Sequence, residues 1–372
     1  MSPRTRPSMP EAPWSHLPPA APLDLAVDAV RLAEEVAALS DLTWRANRPV
    51  SQSGLGAEDA FDWKIIPLRG PGGSARRTDP GGAGLEDHRD TAALARCPYH
   101  AEVLSQIPAP LHSVRLMALG PGAETHEHRD GRTNFPWGSL RLHIPVVTQP
   151  GAELVVGGRT YHWPAGRLWY ADFDRLHVAR NRSPRRRVHL VVDCVPTLAL
   201  MALFPADFRA QLPWSDVLLA RETVPLQRFE QEDLCCEIDV PANFPDWSDD
   251  SGADPAHSLP GAVQMVDDRL VLSIAGEPRF GLVHIGNAEF RLQGWTDERT
   301  VALDLMRPDP VARFRVRRGR FTDEQVRVVR SVRSPSIGPT CSPATRSPAI
   351  GSTRSSVIGS VRSSAIESGA VA

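Results

Sequence analysis

The segment ETHEHRDG carries His126, His128 and Asp130 at i, i+2 and i+4. On a β-strand, residues two apart point to the same face, so the imidazole of His128 and the carboxylate of Asp130 can aim at one point. His177, in DRLHVARN, follows 49 residues later, about the span of four short strands. Two imidazoles and one carboxylate on one face of a metal ion are the ligand set of non-haem Fe(II) oxygenases. They leave three positions open for a 2-oxo acid and O₂. Seven of the twelve histidines lie between His112 and His189, so this chemistry is confined to one stretch. For any single histidine a satisfied core or surface role is the plain alternative. The His-x-Asp spacing with a later His is what favours a metal.

A 2-oxo diacid also needs a cation for its far carboxylate. Arg187 opens the apolar run RVHLVVDC, ten residues past His177. A charge on such a strand must find an anion, because an unpaired buried charge is costly. The planar guanidinium matches a carboxylate with two parallel hydrogen bonds. Strand alternation groups Arg187, His189 and Val191 on one face; the alternative is a solvated turn holding Arg185, Arg186 and Arg187. Arg141 and His143, in SLRLHIPV, are a second polar pair on a core-like strand. They point to a co-substrate or substrate contact, or else to a structural ion pair. Trp137 and Arg115 are assigned to the surroundings of the ligands or to the substrate. Trp163 and Trp169 are further pocket candidates, with core packing as their alternative.

These side chains need a β-rich frame. From Ser113 onward, short apolar runs recur between turn signals, at 113–119, 123–130, 139–147, 152–156, 159–163, 167–172, 175–181 and 187–195. Eight short strands at this spacing predict an all-β barrel or jelly roll. Before them, 24–39 reads as an amphipathic helix with Asp24 as N-cap, 61–68 as a strand, 70–84 as a loop and 91–105 as a helix. After them, 198–212 reads as a helix pair or broken helix. The region 217–330 reads as mixed, with strands near 260–285 and 310–317 and no motif. The last 40 residues repeat R-S-P/S-x-I-G/E units, with too little apolar surface to offset ordering entropy. The domain plan is a disordered 1–22, a catalytic domain at 23–212 with its β core at about 113–195, a region of open role at 213–330, and a disordered tail at 331–372.

A net charge of -2 gives no bulk attraction to nucleic acid or a membrane surface. Lys64 is the only lysine, so the 42 basic residues are almost all arginine, which reads as a coding bias of a GC-rich genome. Five irregularly spaced cysteines, Cys97, Cys194, Cys235, Cys236 and Cys341, make neither a disulfide framework nor a zinc motif. The first 22 residues lack the apolar core of a secretory signal, and no run is long enough for a membrane span. A reducing cytoplasmic setting follows as the expectation.

The stretch VRLMALGPGAETHEHRDG…SLRLHIPV…YADFDRLHVARN…RVHLVVDC resembles the aspartyl/asparaginyl β-hydroxylase family, cupin-like 2-oxoglutarate oxygenases that include bacterial hydroxylases of free amino acids. The resemblance covers roughly 60–200 and is strongest over 113–195; WKIIPLR at 63–69 resembles the family's N-terminal strand. It implies a mainly β fold with flanking helices and a double-stranded β-helix core; the C-terminal region, which the resemblance does not cover, is expected to be an α+β extension. It implies Fe(II) on His128, Asp130 and His177, with 2-oxoglutarate and O₂ as co-substrates. Arg187 would hold the far carboxylate of 2-oxoglutarate, with Arg141 and His143 beside it, and His126, which has no ligand role in that pattern, would lie next to the ligands or face the substrate. The implied substrate is an amino acid, free or within a peptide. Two rivals remain. One is a three-histidine cupin dioxygenase or isomerase using His126, His128 and His177, with Asn181 completing the motif. The other is a non-catalytic jelly roll that binds a small molecule.

Overall fold

The computed structural model describes residues 14, 16–47, 50, 51, 54, 55, 62–247, 254 and 256–332. The disorder expected for 1–13 and for 333–372 falls outside these residues. The fold is mainly β. Two antiparallel sheets face one another, and the chain passes between them. Leu111–Leu119, Leu140–Val147, Arg167–Ala171 and Arg187–Cys194 lie in the larger sheet. Ala152–Val156, Arg159–Tyr161 and His177–Asn181 form the smaller one. This alternation is a double-stranded β-helix. The larger sheet runs Ala20–Ala26, Arg167–Ala171, Leu140–Val147, Arg187–Cys194, Leu111–Leu119, Trp63–Pro71, Arg45–Ala46, and His88–Asp90 adds to Trp63–Pro71. The expected strand at 123–130 meets its neighbour through only two isolated bridges, Glu124 to Arg180 and His128 to His177.

Alternation on the larger sheet separates two environments. Leu116, Leu142, Ile144, Leu190 and Val192 face outward into the main core, where Leu32, Leu39, Val103, Leu104, Met201 and Phe204 of the helical segments cover them. The opposite face of the same strands carries Arg115, Arg141, His143, Arg187, His189 and Asp193, all buried or nearly so. The inside of the jelly roll is therefore polar, and the apolar core lies behind the sheet.

Two expectations at the N-terminus need correction. Residues 20–26 form a strand, so order begins within the stretch assigned as disordered and the helix does not start at Asp24. The helix is Ala29–Ala38, and its N-cap is Asp28, which accepts from Val30 and Arg31 at 2.9 and 3.2 Å. Both aspartates suit a cap by type. Pairing of Ala20–Ala26 with Arg167–Ala171 and burial of Leu23 decide between them. The 91–105 helix is broken into Ala92–Ala95 and Pro98–Ser105, since Pro98 removes a backbone donor. The 198–212 segment is likewise two helices, Leu198–Ala202 and Ala206–Gln211.

The C-terminal extension holds one short helix, Arg228–Asp233, and a closed antiparallel barrel of eight strands from Cys236–Pro241 to Phe321–Val332. Its interior is filled by apolar side chains such as Ile238, Leu272, Phe290, Val301 and Phe314. The strands expected near 260–285 and 310–317 are there; those at 236–241, 289–292, 299–304 and 321–332 were not anticipated. Among the described residues no helix is long and apolar enough to cross a membrane.

Candidate metal centre

His128, Asp130 and His177 converge, with their ligand atoms all within 4.8 Å of one another. The convergence comes from pairing. The backbones of His128 and His177 exchange hydrogen bonds at 3.0 and 2.9 Å, which puts their rings on one side with centroids 4.2 Å apart. The Asp130 N–H donates to the Phe173 carbonyl at 2.9 Å, bringing the carboxylate over the same spot. Its two oxygens lie 3.6 Å from His128 Nε2 and 3.8 Å from His177 Nε2. Each imidazole is aligned through its other nitrogen. Nδ1 of His128 lies 2.7 Å from the His126 carbonyl, and Nδ1 of His177 lies 3.0 Å from the Arg175 carbonyl. A carbonyl can only accept, so both Nδ1 atoms carry the hydrogen and both Nε2 lone pairs are free. This is the usual arrangement around metal-binding histidines. Burial pulls His177 below its ordinary pKa, which keeps it neutral and able to ligate. The donor set suits Fe(II) by type and number.

His126 is exposed and enters the centre through its carbonyl. The third side-chain donor of the cluster is Asp130. Arg141 donates to Asp130 and, through Nε and NH2, to Asp193 at 2.6 and 3.2 Å. Arg115 donates to the other side of Asp193 at 2.8 Å. Burial alone would lower the pKa of Arg141, but Asp193 and Asp130 outweigh it and raise the value. The Arg141 contact expected with a co-substrate is thus, in the structure, an ion pair that also steadies a ligand carboxylate.

Arg187 is different. Its guanidinium is buried, and its partners are the ring nitrogens of His189, 3.1 Å from Nε and 2.9 Å from NH2. Among the described residues no carboxylate pairs with it. Burial lowers its pKa to about 10 with no charged group offsetting the loss, so it remains a cation near neutral pH. Burial, then Arg187, holds His189 well below the ordinary histidine range, and the same two causes act on His143. The neighbours are therefore neutral and cannot balance the charge. Nε2 of His143 and the indole nitrogens of Trp163 and Trp169 are also buried without a hydrogen-bond partner. Arg187, His189, Trp163, Tyr161, Leu154 and Glu153 line one narrow cleft, where the Glu153 carboxylate pairs with Arg182 at 3.7 Å.

Residues 28–196, which include all of these side chains, match the family model described as aspartyl/asparaginyl beta-hydroxylase. This segment is similar to the aspartyl/asparaginyl β-hydroxylase family. Aspartate beta-hydroxylase domain-containing protein 1 of mouse is 42% identical over 78 residues, covering 20% of this chain and 21% of the mouse protein. The human protein of that name is also 42% identical over 78 residues, covering 20% of this chain and 19% of its own length. The chain thus matches about a fifth of the length of these curated relatives. A 2OG-Fe(II) oxygenase family oxidoreductase from Burkholderia pseudomallei superposes with a TM-score of 0.31 at 13% identity, over 45% of this chain and 80% of that one. A cupin 2 barrel protein from Salinispora arenicola gives a TM-score of 0.19 at 20% identity, over 29% and 76%.

Within this segment, two contributors escaped the sequence reading. Asp193 sits directly opposite Arg141 in the strand register and shares the face of Arg187. Extending the alternation 187, 189, 191 by one step would have found it. Phe173 stacks on His143 at 4.9 Å and meets His177 edge-on at 4.9 Å; no pattern signals it, because it lies in a turn. Trp63, whose ring centre is 6.2 Å from that of His128, joins Ile65, Met117 and Val191 in a small apolar cluster. Trp137, expected near the substrate, is instead buried against Arg132 and Arg318, at 4.8 and 4.9 Å. Its carbonyl accepts from Thr296 of the C-terminal barrel at 2.7 Å.

Proposed function

We propose that this chain is an Fe(II)- and 2-oxoglutarate-dependent hydroxylase of an amino acid, free or within a peptide. The observation that carries the proposal is Arg187, a buried guanidinium without an acid partner among the described residues, in the same jelly roll as the His128, Asp130 and His177 cluster. A protein does not retain an uncompensated buried cation without use, because the desolvation cost is several kcal/mol, on the order of that for any buried ion. A dianionic co-substrate removes that cost at one end and chelates the metal at the other.

When bound, Fe(II) with 2-oxoglutarate and O₂ supplies the chemistry that hydroxylates an unactivated C–H, with succinate and CO₂ as co-products. The protein's part is placement. The carbonyls of His126 and Arg175 orient the two imidazoles. Arg141 holds Asp130 and shares its charge with Asp193. Arg187 offers its fork to the far carboxylate, with Trp163 beside it in the cleft. Trp63, Ile65, Met117 and Val191 give an apolar wall against which a C–H group would lie, excluding water from the reacting bond. Cys97, Cys194 and Cys236 are buried free thiols, which suits a reducing cytoplasm.

The test is anaerobic reconstitution with Fe(II) and 2-oxoglutarate, followed by O₂ and a panel of amino acids and short peptides. Succinate release coupled to a one-oxygen mass gain in one substrate is expected. Absence of succinate under any combination, with iron bound, would leave the small-molecule-binding jelly roll as the better reading.

A further inference from the structure

The loop that leaves Asp130 is held from two sides: Phe135 packs into the main core against Tyr170, Phe204 and Phe208, and the C-terminal half of the chain grips the backbone. From Phe135 to Trp137, three successive carbonyls accept hydrogen bonds from the C-terminal half of the chain. The donors are Leu218 N–H at 3.0 Å, Gly319 N–H at 2.8 Å and the Thr296 hydroxyl at 2.7 Å. Arg132, two residues past Asp130, has a left-handed backbone at φ +63, a conformation a non-glycine residue keeps only when its surroundings hold it. Its N–H and the side chain of Asn134 both donate to Asp174, at 3.2 Å each. Asp174 stands three residues before His177, so it ties together the loops of two cluster members. The Arg132 guanidinium then crosses to the barrel. It donates to Glu298 at 2.5 Å and to the Trp247 carbonyl at 2.9 Å, and it lies between the rings of Trp137 and Trp247. The Glu298 side chain is fully buried, and Trp295 Nε1 fixes its second oxygen at 2.7 Å.

We propose that the C-terminal barrel is a working part of the metal centre, with Arg132 and Glu298 as positioning residues that hold Asp130 over His128 and His177. The inference rests on the proposed metal role of that cluster. Asp130 is joined to Arg132 through Gly131 alone, the residue type with the least backbone restraint. Without the Arg132 anchor, the carboxylate would have more conformations to lose on binding a metal ion. Partners just outside a ligand set typically alter metal affinity by about 10–100-fold when removed.

The experiment measures Fe(II) and Co(II) binding by the full chain, anaerobically, together with hydrogen exchange of the apo protein over residues 128–137. Glu298→Gln keeps the size and an acceptor but removes the charge. Arg132→Ala removes the anchor, and Arg132→Lys keeps the charge while losing the second donor. Glu289→Gln, which breaks a different buried ion pair of the same barrel, is the control for general destabilisation. The expected result is metal affinity weakened about tenfold or more in Glu298→Gln and Arg132→Ala, with partial recovery in Arg132→Lys. Exchange over 128–137 should be faster and the Co(II) visible spectrum altered, while Glu289→Gln binds like wild type. Wild-type affinity and spectrum in both Glu298→Gln and Arg132→Ala would overturn the positioning role, as would an equal loss in Glu289→Gln. If the unmodified chain itself binds neither metal, it is the proposed function that fails.

Discussion

Arg141 holds Asp193 with two hydrogen bonds, at 2.6 and 3.2 Å, and turns its remaining nitrogen to Asp130. With Arg115 on its far side, Asp193 is the shared anion of two buried cations. Burial would raise its pKa, yet Arg141 and Arg115 bring the value below the ordinary aspartate range. Asp193→Asn removes the charge but not the volume, so two guanidinium groups lose their main counter-ion. Breaking such a buried arrangement costs about 3–5 kcal/mol. Urea unfolding at pH 7 should show a loss of that size. A variant as stable as wild type would mean that Asp130 alone balances both arginines.

The cluster itself is tested by deletion of donors. His128→Ala, Asp130→Ala and His177→Ala should each abolish tight Fe(II) binding, since each takes one of three protein ligands. His126→Ala should retain it, because His126 serves through a backbone carbonyl that alanine also has. Equilibrium dialysis against Fe(II) under argon distinguishes these outcomes. Loss in His126→Ala with retention in Asp130→Ala would point to the three-histidine cupin instead.

Arg187→Ala should raise the 2-oxoglutarate requirement at least about 30-fold, as truncating one member of a buried charge pair costs about 2–5 kcal/mol. Iron binding should persist, since the guanidinium is not among the clustered donors. Arg187→Lys should recover part of the loss, because an ammonium cannot form the two parallel bonds. Arg185→Ala, in the exposed turn before the strand, should matter much less. Succinate release against 2-oxoglutarate concentration reads all three. An unchanged curve for Arg187→Ala would remove the co-substrate assignment.

The barrel offers a prediction in pH. Glu289 accepts from Arg221, Arg317 and Thr300 at 2.9, 2.7 and 2.5 Å. Burial favours its protonated form, but the hydrogen bonds from Arg221, Thr300 and Arg317 outweigh it, and the pKa falls far below the ordinary 4.5. A carboxylate depressed on folding contributes stability that is complete above its unfolded pKa and is lost as pH falls towards its folded one. Glu289→Gln should therefore lower stability at pH 7. The gap to wild type should narrow by about 1.4 kcal/mol for each pH unit below that ordinary value. Guanidinium unfolding of both proteins from pH 7 to pH 3 measures the gap; a gap that stays constant would show that the arginines stabilise Glu289 no more than they would glutamine.

Sequence alone located the polar inner face of this protein's jelly roll and much of its frame. Period-two alternation in SLRLHIPV and RVHLVVDC is a local property of the chain, so it selected the inward residues before any strand pairing was known; in ETHEHRDG, which forms only isolated bridges, it grouped the exposed His126 with His128 and Asp130. Five matters belonged to tertiary structure. The helix began at Asp28 and not at Asp24 because a strand elsewhere in the sheet recruited residues 20–26. Asp193 became the hub of Arg115 and Arg141 because of cross-strand register, which no single strand reveals. The absence of an acid beside Arg187, among the described residues, is a fact about its surroundings and not about its type. The barrel at 236–332 closed because its first and last strands pair, a contact between residues nearly a hundred positions apart. The grip of Glu298 on Arg132 spans 166 positions. Sequence patterns report the face a residue turns to the interior, whereas its partner across that interior is set only when distant strands meet.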